Sequence, residues 1–253
     1  FLNPAFIAHS PFYLGSYLIL CNLSTKDKKL LGNVEECNNL FMNNINNKCA
    51  MSISQEYTIS SDFTDKKLKH RQIATEHFQK CLEAKVELFS FSHKEDNTWK
   101  FHTNALNNYF CSYHILLSRF ILNRIAEEHN VRVSYNPDCN VYFSTHKMRI
   151  ENGLDHIKET LDNLELEYAI GDSSKDVRIS YNTEYENKGY CEYMRLPIDN
   201  DPYSVCHVIY EQYLSVQPEP ETPAEEEAET TEETPTEETP AEETPTEETP
   251  AEE

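Results

Sequence analysis

Glycine is scarce: five in 253 residues, so few backbone positions can enter left-handed turns or approach a ligand closely. Long apolar runs are missing as well. No stretch reaches the roughly 18 apolar residues of a membrane span, and Phe1-Leu2-Asn3-Pro4 lacks the charged-then-apolar pattern of a signal peptide. An initiator methionine is also lacking, so the sequence reads as an N-terminally truncated fragment. The eight cysteines include no C-x-x-C pair. Metal sites and disulfide frameworks usually cluster more tightly, so the thiols are expected to be reduced core residues of a cytoplasmic protein.

Basic residues are few and unevenly placed. From Gln217 onward there are 16 glutamates and no lysine or arginine, so this tail carries most of the formal −22 and leaves the body at −6. Apart from Lys66-Lys67-Leu68-Lys69-His70-Arg71, which reads as a solvated helix start, no cationic footprint suits nucleic acid. The tail repeats TPTEE and TPAEE from Thr234 to the end. Self-repulsion and a lack of apolar side chains predict disorder there, because nothing offsets the entropy of ordering. It reads as a solubilising brush or a docking arm for a basic partner.

What remains reads as an α+β domain. Strands are expected over Tyr17–Leu23, Met51–Thr58, Val86–Ser92, Val131–Tyr135, Leu166–Ile170 and Val177–Tyr181. Helices are expected over Val34–Ile45, Ile73–Lys85, Leu106–Glu128, His146–Leu161 and Pro202–Leu214. In the longest, Leu106, Phe110, Tyr113, Leu117, Phe120, Ile121 and Ile125 recur at helical spacing and form a predicted core face. The last opens at Asp201-Pro202, a cap carboxylate followed by a proline with no N–H to lose. On Met51–Thr58 one face carries Ile53, Gln55 and Tyr57 and the other Ser52, Ser54, Glu56 and Thr58. A polar face of that kind predicts a wet cleft.

Val141–Leu154 (VYFSTHKMRIENGL) and Lys188–Val205 (KGYCEYMRLPIDNDPYSV) resemble two runs of eukaryotic-type glutamine synthetase, roughly NFSTKAMREENGL and KGYFEDRRPSANCDPFSV. Ser118–Ile125 (SRFILNRI) likewise resembles ARFILHRV. The resemblance covers about Pro4 to Val216. It implies the catalytic-domain fold shared with guanidino kinases, an antiparallel sheet curled around the site with helices outside. It also divides the chain into a remnant of the N-terminal β-grasp region at 1–24, a catalytic domain with shortened loops at 25–216, and the acidic tail at 217–253.

Glutamine synthetase activates glutamate with ATP to a γ-glutamyl phosphate, using hard divalent ions held by carboxylates. Carried over by the resemblance, the Glu-x-Glu pair falls on Ser54-Gln55-Glu56. A second glutamate falls on His93 or Lys94, depending on register, and the next on Lys100. The metal histidine falls on Asn140, and only Glu192 matches the last ligand. Glu56 and Glu192 are thus vestigial metal ligands, expected to ion-pair with Lys100 or Arg195. Arg178 and Ser144 are candidates for nucleotide contact, and Arg195 for substrate contact. No catalytic residue is identified. Glycine-bearing loops shrink to Ser60–Thr64 and Pro137–Cys139, and the flap segment between Ile170 and Asp176 is absent.

The sequence therefore reads as an inactive glutamine synthetase-like protein with a structural, assembly or regulatory role. No cofactor is expected, and partners would be further copies or a genuine synthetase. The rivals are an active ATP-dependent glutamate–ammonia ligase using Mg²⁺ or Mn²⁺, with Lys100 replacing part of the metal charge, and a nucleotide sensor without turnover.

Overall fold

The structure, a computed structural model, describes the chain apart from residues 44, 46–47, 62–65, 96, 108, 150–152, 164–167, 171–176, 183–187, 198–200 and 212–253. For the strands at 168–170, 177–182 and 188–197 it describes the backbone. The predicted disordered tail lies outside the described residues; Pro218–Glu253 is a unit of its own, apart from Phe1–Gln217.

Within the larger unit, β1 (Leu2–His9) and β2 (Tyr17–Leu23) form an antiparallel pair. The main sheet has eight strands: β3 (Ala50–Ser60), β4 (Leu88–His93), β5 (Thr98–Thr103), β6 (Leu106–Asn107), β7 (Arg132–Ser144), β8 (Tyr168–Ile170), β9 (Val177–Asn182) and β10 (Lys188–Pro197). Their order is β4-β5-β3-β7-β10-β9-β8, with the short β6 also on β3. The pairings are antiparallel except β8 with β9, which is parallel. The helices are α1 (Val34–Asn43), α2 (Lys66–Glu83), α3 (Phe110–Glu128), α4 (Gly153–Asn163) and α5 (Pro202–Ile209).

The core lies between one face of β3, β5 and β7 and the helices α2 and α3. Met51, Ile53, Phe101, Val141, Phe143, Ile115, Ile121, Leu122 and Ile125 are all fully buried there. Tyr113, Leu117, Ile121 and Ile125 of the predicted stripe are buried, whereas Phe110 and Phe120 are 42% and 46% exposed. Leu106 leaves the helix for β6. A stripe as wide as the sequence suggests would need a broader contact than two neighbouring helices and a sheet supply.

Two predicted boundaries move for local reasons. Instead of one helix from His146, a 3-10 turn at Lys147–Arg149 precedes α4. A Cβ on Gly153 would lie 2.2 Å from the Met148 carbonyl oxygen, so this glycine permits the close approach of the two segments. Residues 137–139, expected as a residual loop, belong to the continuous β7, with an irregularity where Gln55 pairs Cys139 and Tyr57 pairs Tyr135. Asn136 Oδ1 accepts from the Asp138 N–H at 3.1 Å inside that bulge.

The cap of α5 forms as the sequence predicts. Asp201 Oδ1 accepts from the Tyr203 N–H at 3.0 Å, and Oδ2 accepts from Asn33 Nδ2 at 2.9 Å, tying α5 to the segment before α1. Asp201→Ala should cost about 1 kcal/mol, by the usual worth of an N-cap. Asp201→Asn, which can still accept at both places, should recover most of it. Urea unfolding midpoints of the variants measure the difference, and equal midpoints for alanine and wild type would refute the cap's role.

Candidate functional site, a polar face of the sheet

Strand alternation and register gather the polar residues of several strands onto the face away from α2 and α3. On β3 these are Ser52, Ser54 and Glu56. Across to β5, Ser54 pairs with His102 and Glu56 with Lys100. Across to β7, Ser52 pairs with Tyr142 and Ser54 with Asn140. The row continues through Glu192 on β10, opposite Tyr142, to Arg178 on β9, opposite Glu192. Side chains a pleat apart point to the same side, so these registers alone assemble the site.

The face is less open than the sequence suggests. Ser52 and Ser54 are 3% and 2% exposed. Ser52 Oγ donates to the Thr103 carbonyl at 2.7 Å, while Ser54 Oγ is buried without a hydrogen-bond partner. The His102 and Tyr142 rings lie 4.4 Å apart and tilted by 30°, covering the centre. Water reaches the end where Glu56 sits, its side chain 24% exposed. There the ammonium of Lys94, just past β4, contacts Glu56 Oε1. Lys94 is thus the printed ionic partner of Glu56, with Lys100 beside it in the register. Next to them the His93 ring lies 4.6 Å from Trp99.

Behind this face β3 is held by polar groups that sequence reading did not single out. Gln55 is fully buried, and its Oε1 accepts from Arg119 Nε of α3 at 2.7 Å. The Arg119 guanidinium lies over the Tyr135 ring at 5.3 Å, and burial lowers its pKa. His77 of α2 is fully buried against Tyr57 and Ser118. A glutamine facing the core side of a strand, with an arginine in the helix that packs on it, was the available signal. It needed the sheet-to-helix pairing to be recognised.

No family model matches the sequence. Glutamine synthetase of Gallus gallus is 25% identical over 183 residues, covering 55% of this chain and 49% of that protein. The human enzyme is 24% identical over 183 residues, covering 55% and 49%. The chloroplastic enzyme of Daucus carota is 25% identical over 188 residues, covering 58% and 44%. Among solved structures, a novel glutamine synthase homolog shares the fold with a TM-score of 0.57 at 9% identity, covering 77% of this chain and 62% of that one. The chain carries a glutamine synthetase-like catalytic domain. It spans about half the length of the curated relatives it matches.

Within the glutamine synthetase-like domain, the positions derived from the two family runs meet on the polar face. Glu56 and Glu192 lie on β3 and β10, separated by β7. Arg178 is the direct neighbour of Glu192. Arg195 falls in the irregular stretch between Tyr193 and Leu196, where the pairing of β10 with β7 shifts register. Ser144 is fully buried and opposite Ala50, with Oγ donating to the Thr145 carbonyl at 3.3 Å. The shortened flap at 171–176 and the loop at 62–65 lie outside the described residues. The described cysteines are all free thiols, and among the described residues no helix is long and apolar enough to cross a membrane.

Proposed function

We propose that this protein is a catalytically inactive relative of glutamine synthetase that serves a structural, assembly or regulatory binding role. The observation that carries the reading is at Glu56, which has one lysine, Lys94, in ionic contact and a second, Lys100, as its cross-strand neighbour. An exposed pair of this sort contributes at most about 1 kcal/mol, so it would not keep an ion out by itself. The donor set does more. Mg²⁺ gives up its water reluctantly and needs several oxygens in near-octahedral array. Ser54, Lys94, Lys100 and Asn140 stand where the resemblance places metal ligands, and among the described residues no group of three or more His, Cys, Asp or Glu could hold an ion. These residues do not fit a pair of hard cations, and no phosphoryl-transfer step is derived through them.

The reading extends to the rest of the chain as proposals. Residues 1–24 are a β-grasp remnant, 25–216 the catalytic-type domain, and 217–253 a disordered acidic arm for a basic partner. Glutamine synthetases are oligomeric, and the partners proposed here are further copies or a genuine synthetase, met in the cytoplasm.

The purified full chain, given glutamate, ammonium, ATP and Mg²⁺ or Mn²⁺, is expected to form no glutamine above the enzyme-free blank. Its melting point is expected to be unmoved by Mg²⁺ with ATP. Mixed with an intact synthetase, it should co-migrate at the native mass of the assembly. Metal-dependent glutamine formation would overturn the inactive reading in favour of a ligase. A melting-point rise with ATP alone would favour the nucleotide sensor, through Arg178 and Ser144. A strictly monomeric chain that ignores the synthetase would remove the assembly role.

A further inference from the structure

Away from the polar face, the contact of α3 with α5 is built from thiols and one hydroxyl. Cys111, in the first turn of α3, and Cys206, in the middle of α5, are both fully buried, with their sulfurs 3.7 Å apart. Ser112 Oγ lies 3.2 Å from Cys206 Sγ and 3.2 Å from the Pro202 carbonyl oxygen. On the other side, Cys37 Sγ of α1 donates to the Tyr203 carbonyl at 3.0 Å. Four thiols and carbonyls thus meet where ordinary cores place methyl groups. Among the described residues no three of them have metal-site geometry.

Two sulfurs at van der Waals separation need only a small approach to bond. We propose that Cys111 and Cys206 are a latent disulfide pair, which a low-molecular-weight disulfide oxidises to a bridge that staples α5 to α3. In the closed state Cys111 is protected: its hydrogen bond with Cys206 and its burial hold the thiol well above the ordinary range. Reaction therefore requires opening. Helix α5 has eight residues, too few to persist without its packing on α1 and α3. Its departure uncovers both thiols together. Once water returns, the N-terminal turn of the 19-residue α3 favours the Cys111 thiolate.

The exchange balances. The Cys111 thiolate attacks one sulfur of the oxidant, breaking its S–S bond and releasing one thiolate. Cys206, deprotonated, then attacks the Cys111 sulfur and releases the second. The protein loses two electrons and two protons, and the oxidant leaves as two thiols. The bridge would close a loop between residues 95 apart in sequence, a long constraint on the unfolded chain.

The test treats the full chain with oxidised glutathione in urea well below its unfolding midpoint, alkylates the remaining thiols and maps peptides without reduction. The expected product is a Cys111–Cys206 cross-link, with loss of two hydrogen masses and an upward melting shift of about 10 °C. Dithiothreitol should reverse both. Cys37→Ser should retain the bridge and the shift, while Cys206→Ser and Cys111→Ser should lose both. The wild-type cross-link map decides the matter even if a serine variant fails to fold. A bridge to Cys37 or Cys21, a persistent glutathione adduct on Cys111 or Cys206, no reaction at all, or a bridge without a melting shift would each overturn the proposal.

Discussion

Phe101→Ala is expected to destabilise the protein by about 4 kcal/mol, a large share of the roughly 5–15 kcal/mol that holds a domain folded. Phe101 is fully exposed to neither face of solvent; it is completely buried behind β5. Its ring lies 5.7 Å from His77 and 6.2 Å from Tyr57. Truncation removes the transfer energy of the ring and leaves a cavity between the sheet, α2 and α3, which those rigid elements cannot fully close. The effect reaches the polar face, because Phe101 alternates with Lys100 and His102 on the same strand. Phe89→Ala is the control: its side chain is 72% exposed and should change stability by less than about 0.5 kcal/mol. Urea unfolding gives both numbers. A loss below about 1 kcal/mol for Phe101→Ala would show that this layer is not the core.

Stability is expected to fall steeply as pH drops from 6.5 toward 4, with His77 as the largest single cause. The His77 pKa is lowered from 6.5 to about 4 because burial disfavours the charged ring, only partly offset by the Ser118 backbone. The Ser118 carbonyl, 3.2 Å from Nε2, can only accept, so Nε2 carries the proton. Nδ1 then accepts from the Tyr57 hydroxyl at 3.3 Å. A second proton would face that hydroxyl with no acceptor oriented to it. Above pH 6.5 neither folded nor unfolded chain is protonated here, and the site imposes no penalty. Below it the unfolded chain gains a proton that the folded chain refuses. Stability drops until the folded site titrates near pH 4, by roughly 3 kcal/mol at about 1.4 kcal/mol per unit. His114, also lowered by burial, acts in the same direction. His77→Gln, which can still bond Ser118 and Tyr57, should flatten the pH dependence of the unfolding midpoint. An unchanged slope in that variant would exclude His77 as the cause.

Periodicity and caps made most elements legible. The YLILCNL strand, the two faces of β3 and the Asp-Pro opening of α5 follow from local rules that no tertiary contact has to supply. β1 and β5 were not read as separate strands, since LNPAFIAH contains a proline and TWKFHT is short and carries a lysine. A single sequence does not say which neighbour will cover such a segment. The candidate site was partly legible through two motif runs, Val141–Leu154 and Lys188–Val205. The partner of Glu56 was not, because two registers placed either His93 or Lys94 at the position in question. Only the path of the chain past β4 brings Lys94 onto the carboxylate.

The sequence by itself determined that the donor atoms of a two-metal centre are depleted, because residue type fixes which atoms can donate. It also determined the charge split between body and tail. The tertiary structure alone decided which residues meet: that Glu56 lies against Lys94, that Gln55 holds Arg119, and that Cys111 lies against Cys206 across 95 residues. Such pairings depend on strand register and helix packing, and both are set by the whole core rather than by any local stretch.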